Sequence, residues 1–304
     1  MTGVWLPRFA CPECRLSAVS HGARGLACTR CGALFEQRGG VFRFLSPHRS
    51  EAAEPFLRQY RLVREREGYR TAAPEYYQKL PCVGRDDPHA ERWCLRRESF
   101  ERLQRHALPD GRHGPVRVLD LGAGSGWLSH RLAASGHLVV AVDRLDDEMD
   151  GLGACRHYPV SFAAVQADFD ALPFEPAQFD LAIFDGSLHY SPDPEATLAE
   201  AMRMLVPGGT VVVMDSPMFA RERDGQAMVI DQLRLIETEH GVGAAVQPGV
   251  GFLTFAALEQ AASRLKLRGR FLRSRGSLGW RLRRPLAWIR LRRQPAAFGV
   301  WVAQ

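Results

Sequence analysis

Long apolar runs are missing from this chain. None reaches the ~18 residues that a membrane-spanning helix needs, which excludes a transmembrane helix. The first residues, MTGVWLPRFACPEC, lack the basic start and long apolar segment of a secretory signal, so the expected location is the cytoplasm. Acidic residues vanish after Glu259, whereas twelve Lys or Arg follow between Arg264 and Arg293. Residues 1–259 therefore hold 28 basic against 34 acidic side chains, a net of −6, inside a whole-chain charge of +6. One end of the molecule is a cationic surface.

What is present is ordinary in bulk. The 304 residues, 46% hydrophobic and 24% charged, suit one large α/β domain plus a small module. Of seven cysteines, four form two knuckles, Cys11-Pro-Glu-Cys14 and Cys28-Thr-Arg-Cys31. Four thiolates so spaced close a tetrahedral Zn²⁺ site, a pattern of reducing compartments rather than of disulfides. Redox dithiols are the alternative. A metal here contributes folding free energy to a module too small for its own core. Leu34 to Leu45 predicts two short strands around Gly39-Gly40. Cys82, Cys94 and Cys155 read as buried thiols.

The organising stretch is Val116 to Gly126, VRVLDLGAGSG. Val116, Val118 and Leu119 predict a buried strand entering a turn at Gly122, Gly124 and Gly126. Trp127, Leu128, Leu132 and Ala133 follow at helical spacing. Such a turn brings bare backbone N–H groups and a helix N-terminus to a ligand. Leu138 to Val142 is a second apolar run, ending in Asp143, where a carboxylate meets the hydroxyls of a ribose. GxGxG spacing alone is shared with dinucleotide sites. Asp120 beside the turn disfavours a pyrophosphate and suits a ligand with an ammonium and a sulfonium, and the order departs from GxGxxG.

Asp120-Leu-Gly-Ala-Gly-Ser-Gly126 resembles the first motif of class I S-adenosylmethionine-dependent methyltransferases. The resemblance implies an α/β fold, a doubly wound seven-stranded Rossmann-like sheet, with Asp120, Gly122, Ala123, Gly124, Gly126 and Asp143 around the cofactor. Phe162 to Asp168 predicts a third strand, and Leu172-Pro-Phe174 resembles the family's LPF segment. The family's adenine-binding acid then falls on Asp168, with Phe169 along the ring. Phe179 to Tyr190 resembles the strand and loop beside the sulfonium, which places Asp185, His189 and Tyr190 there. Asp193 to Leu205 predicts a helix, Val206-Pro-Gly-Gly209 a turn and Thr210 to Asp215 the fifth strand. Helices over Gln226 to Leu265 follow, with Gly251 to Thr254 as a loop between them. Lys266–Arg275 and Phe298–Ala303 are the sixth and seventh strands, the last antiparallel.

Residues 1–46 are expected to be the zinc module, 47–114 a helical connector capping the site, and 115–304 the methyltransferase domain with a basic insertion at about 276–295. The first block resembles the small zinc ribbons that activate tRNA and protein methyltransferases, and ribbons fused to bacterial methyltransferases. In the connector, Glu54–Glu67 and about Pro88–Leu108 predict helices, and Pro74 to Pro81 an aromatic-bearing loop. Tyr76, Tyr77, Trp93 and Arg97 are candidate substrate-lining residues, or packing residues between the helices.

His189 is the candidate base if the acceptor is an alcohol, phenol or amine, and Asp185 a weaker one. No NPPY motif and no catalytic cysteine pair occurs, which disfavours nucleobase amine methylation of the NPPY kind and cysteine-dependent RNA C5 methylation. In Ser277 to Gln294, tryptophans and aliphatics interleave with arginines. Leu278, Leu282, Leu286 and Ile289 share one side of a helical wheel, which Pro285 interrupts or restarts. This region, 264–293, suits a peripheral membrane surface, RNA phosphates with aromatic stacking, or simply a surface helix over the pocket. The expected acceptor is a small or lipid-like molecule. An RNA methyltransferase using ribbon and Arg-rich tail is the alternative, and a non-enzymatic cofactor-binding partner a third.

Overall fold

A computed structural model describes residues 4–15, 19–22, 25–71, 73–108 and 114–304, with backbone alone at 19–22, 278 and 282–287. The N-terminal strands are β1 (Val19–Gly22), β2 (Gly25–Cys28), β3 (Leu34–Arg38) and β4 (Val41–Arg43). The Gly39-Gly40 turn joins β3 to β4 as expected. The connector forms α1 (Pro47–Arg66), α2 (Pro74–Lys79) and α3 (Ala90–His106). The expected loop around Tyr76 and Tyr77 is thus a short helix. Pro74 supplies its fixed φ at the first turn, and Tyr77 is anchored in the core at 1% exposure.

The remainder alternates strands and helices. It runs β5 (Arg117–Leu121), α4 (Trp127–Ala134), β6 (Leu138–Asp143), β7 (Ala163–Gln166), β8 (Phe179–Asp185), α5 (Pro194–Met204) and β9 (Leu205–Met214). Then come β10 (Met218–Phe219), α6 (Glu222–Glu239), β11 (Leu253–Thr254), α7 (Phe255–Arg264), β12 (Gly269–Ser274), α8 (Leu278–Leu291) and β13 (Phe298–Ala303). The strand order β7-β6-β5-β8-β9-β13-β12 is the expected seven-stranded sheet, with β13 antiparallel to both neighbours. Its central strands are buried on both faces, which is why they read as continuous apolar runs; Val118, Leu119, Val140, Ile183 and Val212 are all at 0% exposure.

The sheet is larger than expected. β1 to β4 continue it to eleven strands, because β4 pairs in parallel with β7 from Val41↔Ala164 to Arg43↔Gln166. The aromatic core crosses the same seam. Phe9 stacks on Phe44 at 4.9 Å and Phe44 on Phe35 at 4.6 Å, while Phe9 also meets Phe174 at 5.9 Å. The ribbon lacks a core of its own and borrows one.

Four arginines from the N-terminal third tie down the loops after β6 and β7. Arg43 reaches Asp146 at 2.7 Å, Arg64 grips Asp150 through two bonds of 2.6 and 2.7 Å, Arg70 meets Asp147 at 3.0 Å and Arg49 meets Asp168 at 2.9 Å. Arg64 also lies 3.5 Å over the Tyr69 ring. These paired, partly buried charges hold α1 across the carboxyl ends of the strands. Of the three remaining cysteines, Cys82 is exposed and Cys94 and Cys155 are half-buried, so the expectation of buried thiols fails at Cys82. Among the described residues no helix is long and apolar enough to cross a membrane.

Candidate active site

A cavity of about 580 Å³ opens at the carboxyl ends of β5, β6, β8 and β9, roofed by α1, α3 and α6. A second cleft of about 1000 Å³ lies at the amino ends of β5 and β8. Ligands of doubly wound sheets bind outside the carboxyl ends, and neither the glycine turn nor Asp143 faces the second cleft.

The glycine turn forms the first wall. Gly122 has φ +77°, and a Cβ there would sit 2.3 Å from the Ser187 Cβ, so any side chain would push the turn off the loop after β8. Gly126 caps α4 with φ +76°, a left-handed position that favours glycine. Gly122, Ala123, Gly124, Asp143, Phe169, Asp185, His189, Tyr190, Tyr76, Tyr77 and Trp93 all border the cavity. Asp143 accepts from the Leu145 and Gly124 N–H groups, both at 2.8 Å, while burial raises its carboxyl pKa.

Four expected residues stand outside the cavity lining, Gly126 at the start of α4 being one. Arg97 is exposed on the outer face of α3, and Arg96 occupies the cavity wall in its place. Asp168 lies outside the cavity lining: Arg49 holds one carboxylate oxygen and Arg144 the other. Arg144 instead borders the cavity, 5.7 Å from the Phe169 ring centre. Asp120 is fully buried beneath the turn, accepting from Ser129 Oγ at 2.6 Å.

The polar floor carries excess negative charge. Asp120, Asp185 and Asp215 are each at most 8% exposed, and each leaves one buried carboxylate oxygen without a hydrogen-bond partner. Arg96, 3.5 Å from Asp185, is the guanidinium set against them. Burial raises the Asp120 pKa to about 7 and that of Asp215 to about 8. Orphaned buried oxygens are costly in a native protein, and a cationic ligand offsets that cost. The donor set fits a ligand bearing an ammonium and a sulfonium.

His189 sits in a short 3₁₀ turn, its Nδ1 at 3.2 Å from Ser216 Oγ. Burial, reinforced by Arg96, pushes its pKa down to about 3. The ring is therefore a neutral hydrogen-bonding group and a weak proton acceptor. Because the unfolded imidazole binds protons below about 6.5 and the folded one does not, this residue contributes stability above that pH. The contribution is lost as pH falls towards 3. We expect the His189 ring resonances to stay at their neutral positions between pH 8 and 5 in a histidine-selective NMR titration. A midpoint near 6.5 would show a solvated ring.

At the far end of the chain's first module, the four sulfurs of Cys11, Cys14, Cys28 and Cys31 lie within 4.8 Å of one another. The shortest separations are 3.6 Å for Cys11–Cys31 and 3.5 Å for Cys14–Cys28. Tetrahedral Zn–S bonds of ~2.3 Å need sulfurs about 3.8 Å apart, so the cluster fits that ion.

Residues 119–213 match the family described as a methyltransferase domain. The chain contains a methyltransferase domain. A malonyl-[acyl-carrier protein] O-methyltransferase of Erwinia pyrifoliae is 37% identical over 41% of this chain and 44% of its own length. A demethylmenaquinone methyltransferase of Clavibacter sepedonicus is 39% identical over 33% of this chain and 40% of its own. The chain thus spans less than half the length of these curated relatives. A solved geranyl diphosphate methyltransferase, in complex with GPP and sinefungin, matches 81% of this chain and 98% of its own with TM-score 0.54 and 16% identity, a likeness of fold alone. Asp215 after β9 and Tyr60, Arg64 and Arg96 of the connector helices also border the cavity, although the sequence did not single them out. Asp215 carried a usable signal, since it ends a strand just as Asp143 does.

Proposed function

We propose that this protein transfers a methyl group from S-adenosylmethionine to a small or lipid-like acceptor. The observation that carries the reading is the cavity floor, where a glycine turn meets three buried carboxylates with unpartnered oxygens. Gly122 to Gly126, Asp143 and Phe169 would hold the nucleoside part, and Asp185 the positive groups, with Asp120 adding its charge from beneath the turn. The bound cofactor supplies an electrophilic methyl on a good leaving group. The protein's part is to align the acceptor, exclude water and take any proton released.

The acceptor side supports an apolar, elongated molecule. Phe56, Tyr60, Tyr190 and Trp280 border the cavity, and Arg92 and Arg96 stand among them. Trp288, Ile289 and Leu291 of α8 are exposed at 58, 68 and 46%. They alternate with Arg290 and Arg292, and Arg293 ties the end of α8 to Asp231 of α6 at 3.2 Å. α8 runs through Pro285, while the predicted Leu278, Leu282 and Leu286 side of the wheel lies outside the described residues. Exposed apolar side chains among arginines favour an anionic bilayer over RNA. The Cys11, Cys14, Cys28 and Cys31 cluster is read as a structural zinc site.

Calorimetry with S-adenosylmethionine and S-adenosylhomocysteine tests the cofactor reading: micromolar binding of both is expected, and binding of neither overturns it. The acceptor reading predicts sedimentation with phosphatidylglycerol vesicles and not with phosphatidylcholine ones. Replacing Trp288 and Ile289 together by Ala weakens it about tenfold or more. Salt-dependent binding to RNA without vesicle binding would instead support the RNA alternative.

A further inference from the structure

The carboxyls of Asp185 and Asp215 both reach α3, Asp185 to Arg96 at 3.5 Å and Asp215 to Ser99 at 2.6 Å, and Asp215 belongs to none of the motifs read from the sequence. Asp185 ends β8, and its ladder partner on β9 is Met214, so Asp215 is the next residue along the neighbouring strand. Gly186 N–H donates to the Met214 carbonyl at 2.7 Å, which ties the two strand ends together, and Asp215 N–H donates to the Gly299 carbonyl of β13 at 3.0 Å. Asp215 has φ +53°, a left-handed conformation that aspartate adopts more readily than most non-glycine residues. Ser99 of α3 donates to its Oδ1 at 2.6 Å and in turn meets Ser274 Oγ at 2.8 Å. That leaves Oδ2 buried without a partner, as is Oδ1 of Asp185, and both residues border the cavity.

Charge near the pair is unbalanced. Arg96 is the cation facing both acids, while Glu98 on α3 and Asp120 below the turn add negative charge. His189 beside Ser216 is neutral and adds none. Two adjacent carboxylates facing one guanidinium in a dry site do not both ionise.

We propose that Asp185 and Asp215 share one proton in the ligand-free protein, release it when a sulfonium enters the cavity, and so leave Asp215 as the base for the acceptor. This rests on the cofactor reading above. During transfer the acceptor atom forms its bond to the methyl carbon and the carbon–sulfur bond breaks, its electron pair staying on sulfur. The acceptor's proton passes to Oδ2 of Asp215. The base is thereby uncovered only when the methyl donor is in place, because the donor's own positive charge ionises it. In the product S-adenosylhomocysteine the sulfur is a neutral thioether, so the pair keeps the proton taken from the acceptor and is back in its singly protonated state.

The two ligands differ by a methyl group and a charge, which supplies the test. Calorimetry at pH 7 in buffers of different ionisation enthalpy counts protons released on binding. We expect about half to one proton for S-adenosylmethionine and close to none for S-adenosylhomocysteine. The affinity ratio in favour of S-adenosylmethionine rises with pH between 6 and 8, up to about tenfold per unit. Asp215→Asn still binds both ligands and loses the difference in proton release. Equal release by the two ligands, or a difference that survives in Asp215→Asn, overturns the proposal. Should that variant not fold, a pH-independent affinity ratio in the unaltered protein overturns it equally. Failure of both ligands to bind would be the distinct failure of the cofactor reading.

Discussion

Asp143→Ala lowers affinity for S-adenosylhomocysteine by about 100-fold or more. The size follows from two tasks falling on one side chain. Its oxygens accept from Gly124 and Leu145 N–H groups at 2.8 Å each, which fixes the glycine turn and the start of the next loop. The remaining lone pairs of the same carboxylate are what a ribose diol requires. Alanine removes both, leaving two N–H groups to find other partners and the diol without its charged acceptor. Asp143→Asn separates the tasks, since its single carbonyl can keep one backbone bond while the charge is gone. An intermediate loss is expected there. Calorimetry reads both variants, and thermal shift on adding ligand checks them. A loss below tenfold in Asp143→Ala would move the ribose away from this strand end.

Cys14→Ser brings the purified protein's zinc content from one per chain to near zero and lowers its melting temperature by about 10 °C. The four sulfurs lie within 4.8 Å of each other, so removing one opens the tetrahedron. The thermal cost extends beyond the ribbon because β4 is hydrogen-bonded to β7 and Phe9, Phe35 and Phe44 pack with Phe174. Chelation of the unaltered protein produces the same fall, reversed by added zinc. Stoichiometric zinc retained by Cys14→Ser, or a melting temperature indifferent to the chelator, would refute the four-cysteine site.

Much of this architecture is legible in the residues, for reasons that differ by element. The parallel strands announce themselves because burial on both faces demands unbroken apolar runs, as in Leu138 to Val142. The glycine turn is equally plain, since Gly122 alone fits against Ser187. Longer-range pairing leaves no such trace. Nothing in Val41-Phe-Arg43 says that it will lie beside Ala164 rather than end a free-standing ribbon. Asp168 shows what likeness does not reveal: two arginines distant in sequence, Arg49 and Arg144, bind its two oxygens. Arg96 was accessible to closer reading, lying three residues after Trp93 and four before Phe100 on the inner face of α3. His189 was placed correctly at the cavity, but its basicity depends on burial and on Arg96, neither visible in the chain.

The parallel pairing of β4 with β7 has a bearing on how the protein associates. An edge strand with unsatisfied N–H and C=O groups invites another polypeptide to add to it. Here the chain itself fills that place, so a separate ribbon subunit has no strand left to join at β7. Metal loss that frees the ribbon bares the same edge in every copy at once. If the four-cysteine site holds zinc, the metal-free protein would offer β7 for strand exchange between copies.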